Sequence, residues 1–187
     1  MRVIAGTARS LPLKAPKGLR TRPTQDQTKE TVFNILREDI SGSIFVDLFS
    51  GSGGIGIEAL SRGARRAYFV DQDHASCACI HENLIFTKLL DRAIVLKQNF
   101  ATALRSISES HIDILFMDPP YGKGLEVESC KILRTLPSID DKTILVIETA
   151  IDMDLEQLTK LGFTIVRQKQ YKTNQHLFIK KENCETI

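Results

Sequence analysis

The 187-residue sequence is most informative first in what it lacks. It has no apolar run near the ~18–20 residues of a membrane-spanning helix, which disfavours a membrane protein. Its opening, Met1-Arg2-Val3-Ile4-Ala5-Gly6, is too short and too polar-flanked for a secretory signal. The four cysteines, Cys77, Cys79, Cys130 and Cys184, follow neither a metal-ribbon nor a redox-pair spacing. His74, Cys77 and His81 could share a helix face, but no fourth ligand or open position accompanies them, so no metal is expected. Internal repeats and low-complexity segments are also missing. Together these absences disfavour disorder and a disulfide-knotted secreted fold. A cytoplasmic protein is expected, and a monomer, since no segment has the pattern of an assembly helix.

What is present has the balance of a globular protein, 42% hydrophobic and 26% charged. A chain of this length makes one domain with at most a short appendage, and buries roughly 70% of its unfolded surface without disulfides. The expected division is a basic N-terminal arm over residues 1–22 and a single domain over residues 23–187. The net charge of +2 conceals a strong asymmetry. Residues 1–37 carry eight Lys/Arg against two acids, residues 38–159 carry 11 against 19, and residues 160–187 carry six against two. Basic ends around an acidic middle are either ordinary solvated surface or a patch for a polyanion such as RNA.

Hydrophobic period and punctuation predict a regular alternation of strands and helices. Met1–Gly6 and Leu11–Ala15 read as a small hairpin-like arm. A helix is expected over about Asp26–Glu38, with Thr24 as its cap. Strands are expected at Ile44–Leu48, Arg66–Val70, Ala93–Lys97, Ile112–Met117 and Thr143–Glu148. Helices near Ile55–Arg62, His74–Phe86, Ala101–Ile107, Leu125–Thr135 and Asp154–Lys160 follow them in turn. Two strands, Phe163–Gln170 and Gln175–Lys181, close the chain across a turn too short for anything but antiparallel pairing. The fold class is therefore α/β: a doubly wound, mostly parallel seven-stranded sheet with an antiparallel closing hairpin and a small N-terminal β-hairpin arm.

Ligands of such sheets bind beyond the carboxyl ends of the strands. Two motifs fall there. The first, Asp47-Leu48-Phe49-Ser50-Gly51-Ser52-Gly53-Gly54-Ile55-Gly56, matches G-x-G-x-x-G at Gly51, Gly53 and Gly56. Asp71 ends the next strand and can accept hydrogen bonds from both hydroxyls of a ribose. This motif alone indicates an adenosine-containing cofactor and leaves a dinucleotide and S-adenosylmethionine both open. Asp47 favours the second, because a carboxylate there repels a pyrophosphate and suits a cationic amino acid portion.

The second motif, Asp118-Pro119-Pro120-Tyr121, follows an apolar strand. Two prolines fix φ and remove two N–H donors, leaving rigid outward carbonyls. Such a turn suits an amino-group substrate, whose exocyclic NH₂ can donate to the Asp118 carboxylate and the Pro119 carbonyl. Tyr121 can stack on a planar base swung out of its helix or loop. When the nitrogen attacks an already activated sulfonium methyl, positioning supplies most of the catalysis and no strong base is required.

With these residues in view, the sequence resembles the RsmD-type RNA methyltransferases. The resemblance is carried by Arg22-Pro23-Thr24, Phe33-Asn34-Ile35-Leu36, Asp47–Gly53, Glu58-Ala59-Leu60-Ser61-Arg62-Gly63-Ala64 and Asp118–Tyr121, and spans essentially the whole chain. It implies a Rossmann-like, S-adenosylmethionine-dependent enzyme that methylates N2 of guanine 966 in 16S ribosomal RNA, within an assembled or assembling small subunit. By position it implies cofactor contacts from Asp47, Phe49, Gly51, Ser52, Gly53, Asp71, Gln72, Asn99, Phe100 and Asp118. Asp118, Pro119, Pro120 and Tyr121 would grip the target guanine. Arg2, Arg9, Arg20, Arg22, Thr24 and Lys172, with Tyr121, would meet the RNA. The competing readings are a dinucleotide-dependent oxidoreductase, another DNA or RNA amino-methyltransferase, and a non-catalytic RNA-binding module.

Overall fold

The computed structural model describes residues 1–16 and 23–183, and only the backbone of residues 23–25. After the arm comes α1 (Pro23–Ile35), and then the expected alternation. It runs β1 (Ile44–Leu48), α2 (Gly54–Ser61), β2 (Arg66–Asp71), α3 (His74–Thr87), β3 (Ala93–Lys97), α4 (Phe100–Ser106), β4 (Ile114–Met117) and α5 (Leu125–Thr135). It closes with β5 (Ile144–Ala150), α6 (Glu156–Lys160), β6 (Phe163–Gln170) and β7 (Asn174–Lys181). The seven strands form one sheet in the order β3-β2-β1-β4-β5-β7-β6. The first five pair in parallel, while β7 is antiparallel to both β5 and β6.

Every residue of β1 is buried, as a central strand covered on both faces requires. Alternation sends Phe45 to one face and Val46 to the other. The Phe45 face packs against Phe33 of α1, Ile57 and Leu60 of α2, and Ile80 and Leu84 of α3. The Val46 face packs against Leu104 of α4, Leu133 of α5 and Leu158 of α6. At the outer edge, β6 turns most of its side chains to water, Arg167 and Lys169 among them.

Several local expectations need correction. The first helix begins at Pro23 and ends at Ile35, three residues earlier at each end than Asp26–Glu38. Proline tolerates the first helical position because its missing N–H would be unpaired there anyway, so Thr24 lies inside the first turn and is not the cap. The fourth strand starts at Ile114, not Ile112, and an unexpected 3₁₀ turn, Leu90–Arg92, precedes β3. The arm is a looser hairpin than expected. It has a single antiparallel bridge, Arg2 to Pro12, with backbone bonds from Val3 N–H to Leu11 O and from Ser10 N–H to Val3 O.

The arm nevertheless joins the main core, because Val3, Ala8 and Leu13 are buried with the α1–α3 residues. Glu58 on α2 organises this junction. Its fully buried carboxylate accepts hydrogen bonds from the N–H groups of Ile4 (2.7 Å) and Ala5 (3.0 Å). It also pairs with Arg62 at 2.7 Å and with the buried Lys29 of α1 at 3.3 Å. Lys29 in turn donates to the Arg2 carbonyl at 2.6 Å. Burial lowers the Lys29 pKa, opposed by the Glu58 charge. Such a pair gains little over apolar packing, but removing one partner strands the other charge. Glu58→Ala should therefore cost about 3–5 kcal/mol in denaturant unfolding. Lys160→Ala, which breaks the exposed Lys160–Glu156 pair, should leave the unfolding midpoint unchanged.

Candidate active site

The carboxyl ends of the parallel strands converge on a cleft of about 670 Å³. One wall comes from the turn after β1 and the end of β2: Phe49, Val70, Asp71 and Gln72. Gln98, Asn99 and Phe100, between β3 and α4, form the second. Asp118, Pro119, Pro120 and Tyr121, directly after β4, form the third with Lys123 and Leu125. Phe49, at the head of the glycine-rich turn, and the two-proline turn thus line one space, whereas Asp47, Gly51, Ser52 and Gly53 are not among its lining residues.

The first turn shows why its glycines are there. Gly51 and Gly53 have φ of 55° and 77°, the left-handed region that disfavours other residues. Gly56 serves packing: a Cβ there would lie 2.4 Å from the Phe69 ring on β2, so α2 can approach the sheet only without it. That approach lets Gly56 N–H donate to the Asp47 carboxylate at 2.9 Å. Phe49 is also left-handed, at φ 66°, a costly conformation for a bulky residue. Its ring packs 5.4 Å from that of Phe100, so two aromatic rings meet at the cleft wall.

Carboxylates stand at or near the carboxyl ends of four of the five parallel strands: Asp47 in β1, Asp71 at the end of β2, Asp118 just after β4 and Glu148 within β5. Asp71 is already held by Gly51 N–H (2.9 Å) and Asp73 N–H (2.9 Å), which fixes its orientation and leaves acceptor capacity on both oxygens. Burial pushes Asp47 up to about 7, opposed by the Gly56 hydrogen bond and assisted by the Asp71 charge. Asp118 is likewise raised, first by desolvation within the surrounding protein and then by the Glu148 and Asp47 charges. Asp47 and Asp118, two acids whose charged forms burial disfavours, are matched by a cationic ligand.

Sequence reasoning missed the support behind Tyr121. Its hydroxyl donates to Glu148 Oε1 at 3.1 Å. Asn174 Nδ2 donates to the same oxygen, and His176 Nε2 lies 2.9 Å from Oε2. His176 is buried, with Nδ1 3.3 Å from the Tyr171 hydroxyl. Burial works against a charged Glu148, but the His176, Asn174 and Tyr121 bonds outweigh it and hold the carboxyl below its ordinary pKa. The missing signal was register: Met117 pairs with Ile147 and Glu148 with His176, which only the folded sheet reveals.

The remaining expected residues are distributed differently. Asp47 is buried behind the glycine turn, and Gly51 and Ser52 are half-buried in it. Asn99 faces the cleft but also caps α4, accepting from Thr102 N–H at 2.9 Å. Arg2 is exposed, 3.5 Å from Asp26, while Arg9 on the arm and Lys172 at the β6–β7 turn are also exposed. Arg20, Arg22 and the Thr24 side chain lie outside the described residues. Among the described residues, no three His, Cys, Asp or Glu side chains gather as metal ligands. Cys77 instead donates to the Asp71 carbonyl at 3.5 Å.

The sheet order and the strand-end cleft define a Rossmann-like fold of the methyltransferase class. Its solved neighbours include yhhF from Escherichia coli, with TM-score 0.83, 28% identity and coverage of 97% of this chain and 98% of that one. Residues 1–180 match the family described as conserved hypothetical protein 95, and the chain belongs to that family, the RsmD family. Bacillus subtilis YlbH is 35% identical over 176 residues, covering 91% of this chain and 92% of that protein. Ribosomal RNA small subunit methyltransferase D of Haemophilus influenzae is 33% identical over 173 residues, covering 90% and 88%.

The Gly56 contact sets a stability expectation. Gly56→Ala should destabilise by about 1–3 kcal/mol through overpacking. Combining it with Phe69→Leu should cost less than the sum of the two single changes, and strict additivity in denaturant melts would show that the ring does not set the approach.

Proposed function

We propose that this protein transfers a methyl group from S-adenosylmethionine to the exocyclic N2 of a guanine in small-subunit 16S ribosomal RNA, at guanine 966 by family resemblance. The single observation that carries the reading is the shared cleft, lined by Phe49 after β1, Asp71 at the end of β2 and Asp118–Tyr121 after β4. Family membership and relatives named as ribosomal RNA small subunit methyltransferase D support the RNA as substrate.

The residues present fit the cofactor. Its cationic charges match the Asp47 carboxylate, behind the turn that Gly51, Ser52 and Gly53 form. Asp71, prefixed by two backbone bonds, would hold the ribose hydroxyls, with Gln72 beside it. Phe49, Asn99 and Phe100 would enclose the adenine. When bound, the cofactor supplies an electrophilic methyl group. The protein's part is positioning: Asp118 and the Pro119 carbonyl accept from the guanine NH₂, aim its lone pair and exclude water, while Tyr121 stacks on the extruded base. Exposed Arg2, Arg9 and Lys172 would meet RNA phosphates, joined by Arg20, Arg22 and Thr24. The protein would act as a cytoplasmic monomer on an assembled or assembling subunit.

Labelled S-adenosylmethionine and small subunits lacking the modification should yield N2-methylguanosine in 16S RNA, and label on protein alone would refute the reading. Asp118→Ala should lower kcat by about 100-fold or more, a loss well beyond any change in S-adenosylhomocysteine affinity. Binding should also depend on pH with a definite sign. A cation beside Asp47 favours the carboxylate, so the protein must lose a proton to bind when the pH lies below about 7. Calorimetry with S-adenosylhomocysteine should show affinity falling as pH drops through 7 towards 5, and Asp47→Asn should flatten that slope. NAD should give no binding heat.

A further inference from the structure

Glu148 has a placement that the chemistry above does not use. It follows Ile147, which pairs with Met117, so Glu148 and Asp118 stand side by side just past a registered pair on adjacent parallel strands. On its other side it pairs with His176 of β7. A carboxylate offers about four acceptor positions. Three are taken, by Tyr121, Asn174 and His176. The Glu148 side chain is 19% exposed whereas that of His176 is 1% exposed, and although Glu148 does not itself line the cleft, its neighbours Asp118 and Tyr121 do.

The bonds behind it make its position definite. His176 packs against Phe116 of β4 and edge-on against Tyr171, at ring separations of 5.9 and 5.3 Å. Tyr171 also hydrogen-bonds Thr31 of α1. Three strands and a helix therefore fix one acceptor beside the residue that takes the target amino group. In guanine, N1–H and the N2 amino group are adjacent donors on one edge; in purines lacking the 6-oxo group, N1 is a lone-pair acceptor.

We propose that Glu148 is a specificity-determining residue: its remaining acceptor position takes the N1–H of the base whose N2 amino group Asp118 holds. A ring whose N1 is an acceptor would place a lone pair against a fixed carboxylate and leave that carboxylate unpaired. This rests on the guanine-N2 reading and supplies its discrimination among bases. Tyr121 stacks on the ring face and Asp118 holds the amino group, neither of which separates guanine from other 2-amino purines.

The test compares small subunits reconstituted with ligated 16S RNA carrying either guanine or 2-aminopurine at the target position. 2-Aminopurine keeps the amino group but has N1 as an acceptor. Initial rates of label transfer from S-adenosylmethionine should favour guanine by about 100-fold or more with the unmodified protein. Glu148→Gln, whose amide can donate to N1, should reduce that ratio to below about 10 while S-adenosylhomocysteine affinity stays unchanged. Equal rates on the two bases with the unmodified protein would overturn the proposal and leave guanine methylation standing, without reliance on any variant. An equal loss on both bases in Glu148→Gln would also overturn it, reducing Glu148 to a support for Tyr121. Failure of the unmodified protein to label the guanine subunits at all would instead overturn the activity, and the proposal with it.

Discussion

The buried carboxylate of Glu58 ties the N-terminal arm, α1 and α2 together. One side chain on α2 satisfies two arm amides and neutralises a cation from α1 and another from its own helix. A charge without solvent must be surrounded by donors, and the donors here come from the arm, from α1 and from the end of α2. The arm is therefore a part of the core, and its first residues have a fixed relation to the glycine turn. Gly54 illustrates the closeness, since a Cβ there would come within 2.6 Å of the Met1 sulfur. The opening of the chain and the start of α2 cannot move independently.

That junction also connects the two basic ends noted in the charge distribution. Helix α1 carries Lys29, which bonds the arm, and Thr31, which meets Tyr171 beside the β6–β7 turn. The acidic middle of the sequence gathers in space too: Asp47, Asp71, Asp118 and Glu148 stand at or near the carboxyl ends of the parallel strands.

How much of this was legible in the sequence depends on the range of the interactions. Asp47, Asp71 and Asp118 could be placed because each ends an apolar strand before turn-forming residues, and the glycine spacing reports local backbone demands. Helix ends were less legible: a proline at the first position of α1 and Asn99 as a cap depend on backbone geometry that composition only suggests. Glu148, Asn174 and His176 carry no local signal, since each is an ordinary polar residue in a strand. Their meaning comes from β7 inserting between β5 and β6, which places residues nearly thirty positions apart in contact.

The edge strand β6 has a consequence of its own. An open sheet ends in unpaired amides and carbonyls that invite another chain to extend it. Here the terminal strand is twisted by an irregularity between Ile165 and Arg167 and carries exposed Arg167 and Lys169. A second copy docking edge to edge would have to bring like charges together along a bent template. The exposed Arg167 and Lys169 thus guard against fibril-like growth, so neutralising them would carry a cost in solubility.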